Sequence, residues 1–83
     1  MIVPTEEQIR ELMVENLAWN GSWSNVTPEY PLLVNEVVDS FGILKLISLI
    51  EAEFGVTIEN EEIVPDNWKT IRDIAALVES KRS

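Results

Sequence analysis

Few residues in this chain could do chemistry, and one of them stands out by its setting. Ser40 follows Asp39 directly and opens a long apolar run, Val37-Val38-Asp39-Ser40-Phe41-Gly42-Ile43-Leu44. A hydroxyl at a helix start can be an N-cap, a nucleophile or a point of attachment. The chain has no His and no Cys, so no imidazole or thiol is at hand to activate it. A catalytic triad headed by Ser40 is therefore not expected, and no catalytic residue is assigned. Ser40 reads instead as a substrate for another enzyme, and Asp39 as a residue suited to capping the helix that follows.

The residues around this pair resemble the acyl and peptidyl carrier proteins in their free-standing form. The likeness rests on Asp39-Ser40, the hydrophobic Phe41 after it, the run through Ile50 and the close in Glu51-Ala52-Glu53-Phe54-Gly55-Val56-Thr57-Ile58. Trp68-Lys69-Thr70-Ile71-Arg72-Asp73-Ile74 is similar to the start of the family's last helix, and Thr5 to Leu17 to its first, so the resemblance covers nearly the whole chain. It implies that Ser40 carries a 4'-phosphopantetheine arm taken from coenzyme A, whose terminal thiol holds an acyl or aminoacyl group as a thioester. It implies that Asp39 helps the modifying enzyme bind its magnesium and coenzyme A. The partners implied are a phosphopantetheinyl transferase, an acyl- or aminoacyl-activating ligase, and downstream synthase or transferase enzymes. Such a carrier makes no bonds itself. It presents a thioester on a flexible tether and so raises the effective concentration of substrate at each active site it visits.

Departures from the family pattern narrow the subtype. Fatty-acid carriers commonly have acidic residues on the exposed face of the helix just after the serine, whereas Gly42, Lys45 and Ser48 occupy that stretch here. This favours a dedicated carrier of the polyketide, nonribosomal peptide or D-alanylation type. Asn35-Glu36 stand where many free-standing members have a glycine turn. Phe41, Leu44 and Lys45 flank Ser40 and are assigned to partner contact.

The elements that must position Ser40 follow from capping signals and periodicity. Thr5 with Gln8 suggests a capping box, and Ile9, Leu12, Met13 and Leu17 recur on one face, predicting helix I from Glu6 to about Trp19 with Asn20-Gly21 as its stop. From there to Val38 lies a stretch of roughly 19 residues without regular structure, long for a small domain, expected to pack Val26, Leu32 and Leu33 onto the core. Helix II should start at Asp39 or Ser40 and end near Phe54, where Gly55 can supply a left-handed stop. Ile43, Ile47, Ile50 and Phe54 form its stripe, Leu46 and Leu49 widen it, and Leu44 is left outward. Asn60 to Val64 suffices for one short helical turn before Pro65. Thr70 and Asp73 form a capping-box-like start for helix IV, which buries Ile71, Ile74, Ala75 and Val78 and places Lys81 and Arg82 at its negative end. The expected fold is an all-α, small four-helix bundle of the acyl-carrier type: three main helices, a short third helix and a long loop between helices I and II.

Composition bounds the rest. With 83 residues the chain is read as one carrier domain spanning 1–83, without disulfides or thiolate metal sites. Asn60, Glu61, Glu62 and Asp66 lack the alternation and central Gly of a calcium loop, so no metal is assigned. The start, Met1-Ile2-Val3-Pro4-Thr5-Glu6-Glu7, has no basic segment or sustained apolar stretch, and a cytoplasmic location is expected. Asn20-Gly21-Ser22 and Asn25-Val26-Thr27 then read as turns rather than glycan acceptors. A net charge of −9 repels nucleic acid and anionic membranes, favours solubility, and can steer the chain toward basic patches on enzymes. No membrane insertion is expected, and the oligomeric state is read as monomer. Trp19, Trp23 and Trp68 read as core or loop anchors. The competing reading is a small helical interaction module in which Ser40 is only a cap and Phe41 and Leu44 dock a partner helix.

Overall fold

Residues 3–82 of a computed structural model are described; Met1 and Ile2, part of the start read from sequence as lacking a basic segment or sustained apolar stretch, and Ser83 lie outside them. The described chain is all-helical, in the order α1 (Thr5–Asn16), α2 (Ser40–Phe54), α3 (Pro65–Trp68) and α4 (Ile71–Arg82), with 3-10 turns at Trp23–Asn25 and Asn60–Glu62. No described helix is long and apolar enough to cross a membrane.

α1 buries Ile9 and Met13 and packs chiefly on α4. It stops at Asn16, short of the expected Trp19. Asn16 Nδ2 donates to the Leu12 carbonyl at 2.9 Å, and Leu17 turns extended at φ −103°, ψ 136°. The physical reason lies in Trp19, which falls off the Ile9–Met13 face of a continued helix. The chain leaving the helix at Leu17 instead lays it edge-on against Trp23, ring centroids 5.0 Å apart. The Thr5 capping box does not form either: Pro4 is the N-cap residue, and Thr5 Oγ1 donates to Glu79 Oε1 on α4.

α2 begins where expected and ends on Gly55, which is left-handed at φ 66° and donates to the Glu51 carbonyl at 3.0 Å. Its deeply buried residues are Leu46, Ile47 and Ile50, so the stripe is centred slightly aside from the expected one. Ile43 and Phe54 are only partly buried. Phe54 is at the helix end, with the Arg82 guanidinium 5.5 Å from its ring centroid, and Ile43 faces a cleft toward α3.

The segment between α1 and α2 is irregular but tied down. Leu32 N–H donates to the Lys69 carbonyl and Arg72 N–H to the Pro28 carbonyl, both at 2.8 Å, which fastens the loop to the start of α4. Val26, Leu32, Val37 and Val38 are buried, and Leu33 is half-buried. Arg10 reaches from α1 to the carbonyls of Trp23 and Val26.

The expected short turn before Pro65 forms as a 3-10 turn over Asn60–Glu62, and a further short helix, α3, starts at Pro65, since Pro suits the first helical position. The turn of α3 drives Trp68 into the core at 1% exposure, and its indole N–H donates to the Glu62 carbonyl at 2.9 Å. α4 starts as expected: Thr70 Oγ1 accepts from Asp73 N–H at 3.1 Å and donates to Asp73 Oδ2 at 2.6 Å. Lys81 does more than face the helix dipole, since its ammonium pairs with Glu62 at 2.7 Å and ties α4 to the 3-10 turn. Glu62 is thereby occupied, and among the described residues no group of three or more acidic side chains is arranged to hold a metal.

Candidate functional site

Two buried valines, Val37 and Val38, hold the chain to the core up to the threshold of α2. Asp39 then turns extended, its Oδ1 accepting from Gly42 N–H at 2.7 Å and its carbonyl from Ile43 N–H at 2.9 Å. Asp39 is therefore the cap, and Ser40 is the first helical residue. With Asp39 turned back on the helix, the Ser40 side chain is left exposed.

Among the described residues three hydroxyls stand at α-helix starts: Thr5, Ser40 and Thr70. Thr5 is engaged by Glu79 and Thr70 by Asp73. Ser40 Oγ has no hydrogen-bond partner among the described residues. The N–H groups of Ser40 and Phe41 likewise find no acceptor among the described residues, as the first turn of a helix dictates. No acidic side chain lies in that turn. The site thus offers a free hydroxyl beside unpaired N–H donors and the positive end of a helix dipole, a setting that favours a phosphodiester on that oxygen.

Clefts lie on either side of α2. One, of about 280 Å³, is bounded by the chain leaving α1, the residues before α2 and the first turns of α2; Trp19, Asp39, Phe41 and Lys45 are among its walls. The other, of about 230 Å³, is lined by Leu33, Ile43, Ile63, Val64, Pro65 and Trp68. Of the residues picked out from sequence, Asp39, Phe41 and Lys45 come together around the first cleft, while Leu44 points elsewhere and is 59% exposed. Phe41 is 82% exposed. The sequence reading missed Trp19 as a wall of this cleft, because a helix running to Trp19 hid the extended chain that brings it there. It also left open the path at Glu36, which is the only non-glycine residue with positive φ among those described, at 57°. The missing glycine turn was the signal.

Residues 7–78 match the family described as phosphopantetheine attachment site. The chain belongs to this family. As a phosphopantetheine carrier it is not itself catalytic, and the group it takes is covalently bound 4'-phosphopantetheine, which the free hydroxyl and open N–H groups at the start of α2 fit. The carrier is also similar to a chain in a crystal structure of Bradyrhizobium japonicum glycine:[carrier protein] ligase complexed with glycylated carrier protein. The likeness has a TM-score of 0.64 at 25% identity and covers 87% of this chain and 90% of that one.

Proposed function

We propose that Ser40 is the attachment point of the 4'-phosphopantetheine arm and that this carrier delivers acyl or aminoacyl groups to partner enzymes in the cytoplasm, as a monomer. When bound, the arm supplies a thiol on which such a group is held as a thioester. The observation that carries the reading is the division of labour at the start of α2, where Asp39 caps the helix and leaves the Ser40 hydroxyl exposed and unengaged. That division weighs against an interaction module in which Ser40 is merely a cap. Asp39 would additionally meet the magnesium and coenzyme A held by the phosphopantetheinyl transferase.

The likeness to a carrier glycylated by its ligase supports an amino acid-activating ligase as loading partner. Lys45 in place of the acidic residues common in fatty-acid carriers favours a dedicated pathway of nonribosomal peptide, polyketide or D-alanylation type. Phe41 and Leu44, both exposed beside Ser40, would enter apolar recesses on partners, and Lys45 would meet an acidic group there. Downstream synthases or transferases would use the same surface.

The absence of cysteine makes a direct test available. Thiol titration should find none in the unmodified chain and a single thiol after modification. Loading by a ligase should consume it, and mild hydroxylamine should restore it. Loading that leaves the thiol free would overturn the thioester reading.

A further inference from the structure

The cleft on the α1 side of Ser40 is walled by apolar and charged side chains. Trp19, Val37 and Phe41 bring apolar surface, Glu36 and Asp39 bring carboxylates, and Lys45 brings a cation that makes no ion pair among the described residues. Along one wall runs the chain leaving α1. Leu17 there is extended, and the peptide groups of Ala18, Trp19 and Asn20 make no hydrogen bond among the described residues. Unpaired N–H and C=O groups on extended chain are an edge that other amides can join. An occupant matched to these walls has amide groups and an apolar portion, and it starts next to Asp39 and Phe41.

We propose that this cleft is the resting site of the phosphopantetheine arm. Trp19 and Phe41 take its geminal methyls and the peptide groups of Ala18 and Trp19 take its amides, while Lys45 offsets the repulsion of its phosphodiester by the Asp39 and Glu36 carboxylates. The inference rests on Ser40 being the attachment point. The volume of about 280 Å³ is near the lower bound of about 300 Å³ for small-molecule sites, which suits a thin tether. The α3-side cleft is the poorer site for this group, because its apolar side chains would strip water from two amides and return no hydrogen bond. Since Phe41 is also proposed to touch partners, docking and the resting arm would compete for one ring.

The test uses the full isotope-labelled chain before and after transfer of an unlabelled arm from coenzyme A, with intact mass read first. Nuclear Overhauser contacts should run from the geminal methyls to the Trp19 and Phe41 rings. Amide shift changes at Ala18, Trp19 and Lys45 should exceed those at Leu33, Val64 and Trp68. In the modified Phe41→Ala and Lys45→Ala proteins the contacts to Trp19 should fall severalfold. If the mass has risen in the parent and not in Ser40→Ala, and the methyls instead contact Leu33, Ile43 or Trp68, or contact nothing, the resting site is wrong and attachment at Ser40 stands. If the mass does not rise, attachment at Ser40 is wrong and the resting site falls with it.

Discussion

At the start of α2, capping and the free hydroxyl belong to adjacent residues, and substitutions should separate them. Asp39→Ala removes the acceptor for Gly42 N–H and should cost about 1 kcal/mol, read as a lower urea midpoint at unchanged slope. Asp39→Asn keeps a good cap but loses the charge, so stability should hold while the rate of arm transfer falls. Equal rates for Asp39→Asn and the parent would remove Asp39 from enzyme recognition. Glu36 makes a second residue-scale case. It holds φ 57° without the freedom of glycine, at the position where the resemblance led one to expect a glycine turn. Glu36→Gly should therefore raise stability by up to about 1 kcal/mol, the relief of strain outweighing the added freedom of the unfolded chain. A loss of stability in that variant would mean the turn carries no strain.

At the scale of elements, α2 and α4 were legible because each carries its own punctuation. Asp39 and Gly55 bracket one, and Thr70 with Asp73 opens the other. α1 and α3 were less legible for the converse reason. The end of α1 is set by where Trp19 finds Trp23, and α3 by Trp68 reaching the Glu62 carbonyl, both of which are tertiary contacts that a local pattern does not contain. The fastening of the loop to Lys69 and Arg72 uses backbone groups only and leaves no mark in residue type.

On the proposed docking role, the exposed Phe41 and Leu44 of α2 should behave differently from its buried residues. Phe41→Glu and Leu44→Glu should slow modification and loading with little change in melting, whereas Ile50→Ala should cost on the order of 2–5 kcal/mol and act through stability. Loading rates beside thermal melts separate the two, and unchanged rates in both glutamate variants would mean that α2 is not the docking surface.

The links around α4 also set a pH response. The hydrogen bond from Lys81, then the Glu59 N–H and the Lys81 charge, hold the Glu62 carboxyl below its ordinary value of 4.5 against the opposing effect of desolvation. The Thr70 hydroxyl first, with Lys69 and Arg72, holds Asp73 below 3.8. A lowered carboxyl binds protons less readily folded than unfolded, so its stabilisation is complete above the ordinary value and is lost as pH falls through the lowered one. Melting temperature should drop on acidification below about pH 4.5, and Glu62→Gln should flatten that drop. An unchanged profile in Glu62→Gln would show that the Lys81 tie contributes nothing.

Over the whole molecule, six basic against fifteen acidic side chains leave a net charge of −9, yet the first turns of α2 carry Lys45 in place of acid. On the proposed docking role of Lys45, long-range attraction to basic enzymes and short-range matching at the docking face would be set by different residues. Added salt should slow association with a basic partner, since the screening length is about 8 Å at physiological ionic strength. Lys45→Glu should improve transfer from a generic fatty-acid partner, and salt should erase the gain. All of this depends on one bond at one oxygen. Incubation with coenzyme A and a promiscuous phosphopantetheinyl transferase, read by intact mass, tests it most directly. The parent chain should gain one phosphopantetheinyl group, and Ser40→Ala should gain none while keeping its helical content and a stability within about 0.5 kcal/mol, because the cap is Asp39. A Ser40→Ala protein that still gains the group, or a folded parent that never does, would contradict the assignment of Ser40.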